Sequence, residues 1–92
     1  MEHEHKHRSH PEVANRLKRA EGHLRSVVAM IGSGRSCLEI ATQIRAVERA
    51  VAQARRKLIE DHLEHCVVRA AAPLDADAIR ELDEFRQIAR FL

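Results

Sequence analysis

Residues 36–73, "SCLEIATQIRAVERAVAQARRKLIEDHLEHCVVRAAAP", decide the fold. The segment opens with a capping box, Ser36 followed three residues later by Glu39, and contains neither Gly nor Pro before Pro73. That predicts an uninterrupted helix of roughly 35 residues, long beside the ~10–14 usual in globular proteins. Its apolar residues, Ile40, Ile44, Val47, Val51, Ala54 and Leu58, alternate spacings of four and three, and the same line runs on into His62 and Cys66. Such a line is one face of a helix, and near-heptad spacing suits partners packed close to antiparallel. The fold class predicted is all-α, a helical bundle.

Two shorter helices flank this one. Upstream, "SHPE" (Ser9–Glu12) is a second capping box, with Pro11 in a position suited to a first helical turn. The stripe that follows is Val13, Leu17, Ala20, Leu24, Val27 and Ile31, and "GSG" (Gly32–Gly34) stops it. Downstream, Pro73 ends the long helix and Asp75 is an N-cap for a third, carrying Ala78, Leu82, Phe85, Ala89 and Leu92. The N-terminal "HEHKHRSH" is compositionally biased and reads as a disordered segment when free. The organisation expected is a His-rich tail over residues 1–8 and a single helical domain over 9–92.

With 92 residues, two Phe and no Trp or Tyr, the chain is poor in large apolar side chains and is expected to finish its core by oligomerising. The net charge is only +2, but bases crowd positions 16–25 and 45–57 while acids collect after Asp75, which permits a polyanionic partner. Candidate DNA contacts are Arg16, Lys18, Arg19 and Arg25 on the first helix and Arg45, Arg49, Arg55, Arg56 and Lys57 on the second. No zinc-finger pattern, short recognition helix or aromatic platform accompanies them, so composition alone favours a solvated charged face over DNA binding. Nor is there a Ser/His/Asp or paired-carboxylate arrangement to suggest an enzyme. No apolar run reaches the length of a membrane span or signal core, and the protein is expected in the cytoplasm.

In that compartment two cysteines point to thiolate chemistry more than to a structural disulfide. His62 and Cys66, four apart, share a helical face and can grip one ion. An isolated pair at this spacing is more often packing than ligation. Here, however, the pair continues an apolar stripe, where an unpartnered imidazole is costly. Cys37 stands at the start of the same helix, where the macrodipole favours a thiolate. At 1.5 Å per residue, Cys37 and His62 lie roughly 37 Å apart, too far to share an ion within one chain. Two such helices packed antiparallel across a two-fold axis bring Cys37 of one subunit to His62 and Cys66 of the other, giving two identical bridging sites.

"NRLKRAEGHLRSVVAMI" (15–31), Cys37, "QIRAVERAV" (43–51) and "DHLEHC" (61–66) resemble the CsoR/RcnR family of metal-sensing transcriptional repressors, over nearly the whole chain. The resemblance implies three-helix chains forming antiparallel dimers and then tetramers. It also implies operator DNA bound when metal-free and released on induction, with ligand roles at Cys37, His62 and Cys66. It supports DNA contacts at Arg16, Lys18 and Arg19, since the match is strongest around Asn15–Gly22, and Arg56 of the second basic cluster is the fourth candidate.

The inducer follows from what stands beside those ligands. Copper(I) members of the family typically carry a Tyr where this chain has Ser36. The nickel and cobalt members add nitrogen ligands from a His-bearing N-terminus, and this chain has His3, His5, His7 and His10. His5 falls at the family's N-terminal ligand position, with His3 as a second candidate. Two thiolates and two nitrogens suit square-planar Ni(II). "HPE", "GHLRS" and "GRSCLEIA" also resemble that branch, so Ni(II) or Co(II) is the expected inducer and Cu(I) the alternative. A formaldehyde-responsive branch usually lacks the second cysteine, and Cys66 argues against it. Other readings are a solvated or residual-tag origin for the histidine tail, and a metal-storage protein with no DNA target. His65 reads as flanking the site and His23 as a surface or interface residue.

Overall fold

A computed structural model describes residues 10–70 and 75–92, and side-chain surroundings for 10–65 and 75–92. Expectations resting on Ser9, His3, His5 and Pro73, and on the side chain of Cys66, lie outside the described residues. Within them the chain forms three α-helices and a closing 3-10 turn: α1 (His10–Gly32), α2 (Cys37–Ala70), α3 (Ala76–Ile88) and Ala89–Phe91. Among the described residues there is no strand, as expected for an all-α chain.

The helix ends follow from local chemistry. Gly34 has φ +76°, the left-handed conformation, and the chain closes α1 with Arg35 N–H donating to Met30 O (3.2 Å) and Gly34 N–H donating to Ile31 O (3.4 Å). This pair of bonds is the Schellman closure, which satisfies carbonyls that the helix end would otherwise leave bare. Two residues later the Ser36 box starts α2. Ser36 Oγ accepts from Glu39 N–H at 3.1 Å, and Glu39 Oε1 accepts from Ser36 N–H at 3.4 Å. Asp75 caps α3 through Oδ1, which accepts from Ala78 N–H at 2.8 Å.

The chain divides into two compact units. The N-terminal unit, Pro11–Arg55, holds α1 and the first half of α2. His23 bonds to Gln43 across the turn, a pairing that fits an antiparallel helical hairpin. Its buried residues are Val13, Ala20, Val27, Val47 and Ala54. In the C-terminal unit, which begins at Arg56 on α2, contacts from His62 and His65 to Glu81 and Phe85 run the other hairpin, and Ile59, His62 and Ala78 are buried.

Each predicted stripe is therefore only half covered. On α1 every seventh residue is buried, while the intervening Leu17, Leu24 and Ile31 stay 43%, 49% and 60% exposed. On α2 the same holds for Ile44, Val51 and Leu58, and Ile59, one residue off the predicted line, is buried instead. The covered residues are mostly Ala and Val, and apart from Ile59 the larger Leu and Ile side chains stay wholly or partly exposed. One neighbouring helix covers a narrow seam, whereas these stripes are wide enough for two.

Candidate metal-sensing residues and basic cleft

His62 is the one buried polar residue among those described, at 5% exposure. Its ring stacks on Phe85 of α3, with centroids 6.0 Å apart and planes at 9°. Nε2 lies 3.4 Å from the main-chain oxygen of Glu81, one turn before Phe85 on α3. A helical carbonyl has a second lone pair to give, and it only accepts, so Nε2 is the protonated nitrogen. In that tautomer Nδ1 carries the lone pair that a metal ion takes, and fixing the opposite nitrogen is how proteins orient a ligating imidazole. The geometry of His62 thus fits a soft or borderline metal.

His65 is nearer to this arrangement than its place off the His62–Cys66 line suggested. Its Nε2 stands 3.0 Å from Glu81 Oε2, with both side chains about one quarter exposed. Glu81 therefore reaches both histidines, His62 by its backbone and His65 by its carboxylate. Nothing in the sequence singled it out. Glu81, Asp83 and Glu84 are equivalent candidates until α3 is set against α2.

Cys37 is the first residue of α2, exposed and not in a disulfide. It belongs to the N-terminal unit, and His62 to the C-terminal one. Cys66 is helical, one turn beyond His62, with its side chain outside the described residues. Among the described residues no three His, Cys, Asp or Glu side chains converge on one point.

Of the predicted DNA contacts, Arg16 and Arg19 come together. They line a cleft of about 210 Å³ with Ala20 and His23 of α1 and Ala50 and Gln53 of α2. Arg16 is oriented by Glu12, one turn earlier, at 3.2 Å. His23 Nε2 lies 2.6 Å from Gln43 Oε1. Lys18 is exposed on α1 outside the cleft lining, and Arg56 is exposed on α2 in the C-terminal unit. His23 and Gln53 were not among the predicted contacts. His23 stands one turn beyond Arg19 on the same face of α1, whereas Gln53 joins them only once α1 folds back on α2. No helix among the described residues is long and apolar enough to cross a membrane.

A family model described as a metal-sensitive transcriptional repressor matches residues 9–90. The chain is 40% identical over 81 residues to the copper-sensing transcriptional repressor CsoR of Bacillus subtilis (strain 168), covering 86% of this chain and 80% of that one. It is 42% identical over 59 residues to the copper-sensing transcriptional repressor RicR of Mycobacterium tuberculosis (strain ATCC 25618 / H37Rv), covering 64% and 62% respectively. Among solved structures, the nickel-responsive transcriptional regulator InrS superposes with a TM-score of 0.77 at 37% identity, covering 98% of this chain and 100% of the other.

Proposed function

The chain belongs to the family of metal-sensitive transcriptional repressors, and from that premise we propose that it is a Ni(II)- or Co(II)-responsive repressor. It holds operator DNA when metal-free, releases it on binding the ion, and controls metal efflux or resistance genes. The family is one of repressors and not of enzymes.

The observation that carries the sensor reading is His62, buried against Phe85 and held through Nε2. The ligands are Cys37, His62 and Cys66, with His5 and His3 as the N-terminal nitrogen donors. Cys37 comes from one subunit and His62 and Cys66 from another, in an antiparallel dimer that pairs into a tetramer. The uncovered Leu17, Leu24, Ile31, Ile44 and Val51 supply an apolar surface for that assembly. The ion would contribute bonds to two thiolates and to imidazole nitrogen, linking one subunit to the next. On this chain's side, His62 is tied to α3 through Glu81 and Phe85, so a change in the imidazole's position is felt by α3. DNA is met by Arg16, Lys18, Arg19 and Arg56, and the repressor works in the cytoplasm.

Nickel over copper rests on Ser36 and on the histidine-bearing N-terminus. The Ser36 hydroxyl is occupied in capping α2, and no phenol stands there. The copper(I) alternative is favoured by CsoR and RicR, both of them copper-sensing. Titration with Ni(II), Co(II) and Cu(I), followed by thiolate charge-transfer absorption and by release of a labelled operator fragment, separates the two. The nickel reading expects Ni(II) or Co(II) to release DNA at the lowest free concentration. Release by Cu(I) alone overturns it.

A further inference from the structure

We propose that Phe85 is a positioning residue for metal capture: its flat face sets the plane of the His62 imidazole, aims the Nδ1 lone pair, and favours the ring once that lone pair is donated. This role rests on the reading of His62 as a ligand, and it belongs to a residue outside the ligand set.

Ala78, Glu81 and Phe85 follow one another at three- and four-residue steps and so share one face of α3. Ala78 is 1% exposed, and a side chain of one methyl group lets the backbone of α3 come close to α2. The Glu81 carbonyl reaches His62 Nε2 there, and one turn further on the Phe85 ring lies against the imidazole, the two planes 9° apart.

The two contacts fix different things. The terminal torsion of a histidine is broad and roughly two-fold, so rotamer preference sets neither the tilt of the ring nor its flip. A flip exchanges Nε2 with Cε1 and Nδ1 with Cδ2, and the Glu81 carbonyl opposes it because a carbon would then face the oxygen. At 3.4 Å, however, that bond is longer than the usual ~2.7–3.2 Å, and a single long bond leaves the ring free to pivot about it. The Phe85 face restrains the pivot. A nearly parallel ring with its centroid 6.0 Å away is an offset stack, and it favours one tilt. The lone pair of Nδ1 lies in the imidazole plane, so the tilt of the ring is the aim of the ligand.

The stack also distinguishes the empty ring from the occupied one. Donation of the lone pair leaves the imidazole electron-poor, and the face of Phe85 is electron-rich. The other phenylalanine, Phe91, is 61% exposed with the Arg90 guanidinium 6.0 Å from its centroid, and it serves as a control.

The test uses the full chain, with Ni(II), and with Cu(I) under anaerobic reducing conditions, in competition with a chelator. Phe85→Leu and Phe85→Met, apolar without a flat face, should bind about two- to tenfold more weakly, the worth of one aromatic stack. Phe85→Tyr and Phe91→Leu should bind like wild type. The metal-free chain supplies a second readout, the ring nitrogens of His62 by NMR, assigned with His62→Gln. Wild type and Phe85→Tyr should show the single tautomer protonated at Nε2, and Phe85→Leu should show shifts averaged between tautomers. Urea unfolding of the metal-free variants separates positioning from packing. A Phe85→Leu chain that loses stability yet keeps wild-type affinity and ring signals overturns the proposal, and so does equal weakening by Phe85→Leu and Phe85→Tyr. If His62→Gln binds both ions like wild type, the ligand reading fails and the role of Phe85 fails with it. If His62→Gln loses them while Phe85→Leu and Phe85→Met do not, the positioning role alone is overturned.

Discussion

The Glu81 carboxylate meets the His65 imidazole at 3.0 Å, and the Glu81 main-chain oxygen lies 3.4 Å from Nε2 of His62. One residue of α3 thus addresses two histidines of α2 by two different groups, and substitution separates them. Glu81→Gln leaves the carbonyl in place and removes only the charge facing His65. At a site about one quarter exposed, that loss should lower stability by no more than about 1 kcal/mol in urea unfolding at fixed protein concentration. Metal affinity should fall less than tenfold. Abolished binding would make the Glu81 carboxylate a ligand.

Cys37→Ala should remove tight metal binding and leave operator affinity nearly unchanged, because the thiol stands at the exposed start of α2, apart from the basic cleft. The variant should repress constitutively, with no release at inducer concentrations that free the wild type. Wild-type release in an operator-release assay would make the thiol structural.

Chains carrying Cys37→Ala, refolded with chains carrying His62→Gln and Cys66→Ser, test the bridging arrangement. Neither parent dimer holds an intact site. Across an antiparallel interface the heterodimer regains one, from Cys37 of one chain and His62 with Cys66 of the other, so about one ion should bind per heterodimer with a wild-type spectrum. Gln at 62 is chosen because the buried ring packs on Phe85, and a truncation to Ala would leave a cavity there. A refolded mixture binding no tighter than its parents overturns the bridge.

Gly34→Ala should destabilise the chain by about 1 kcal/mol, read as a lowered urea midpoint. The cost comes from φ +76°, which a Cβ disfavours, and not from crowding, since the added carbon meets nothing within 4 Å. Ser36→Ala should cost a similar ~1 kcal/mol by baring Glu39 N–H. If both variants unfold like wild type, the turn between α1 and α2 contributes nothing to the stability of the hairpin.

Among the described residues, the three helices and the end signals at Gly34, Ser36 and Asp75 were legible in the sequence by itself, because each depends on atoms a few residues apart. The Ser36–Glu39 box, the left-handed Gly34 and the Asp75 cap all stand where residue type and spacing put them. The same sequence also placed His62 on the buried face of α2. Which half of each apolar stripe is covered within one chain was decided only by the tertiary structure: Val13, Ala20 and Val27 are buried while Leu17, Leu24 and Ile31 are not. So was the choice of Glu81 among the acids of α3, and the meeting of Gln53 with Arg16, Arg19 and His23. A helical period defines an angle around an axis. The partner found at that angle belongs to another helix, and its identity depends on how the two are turned and offset when they pack.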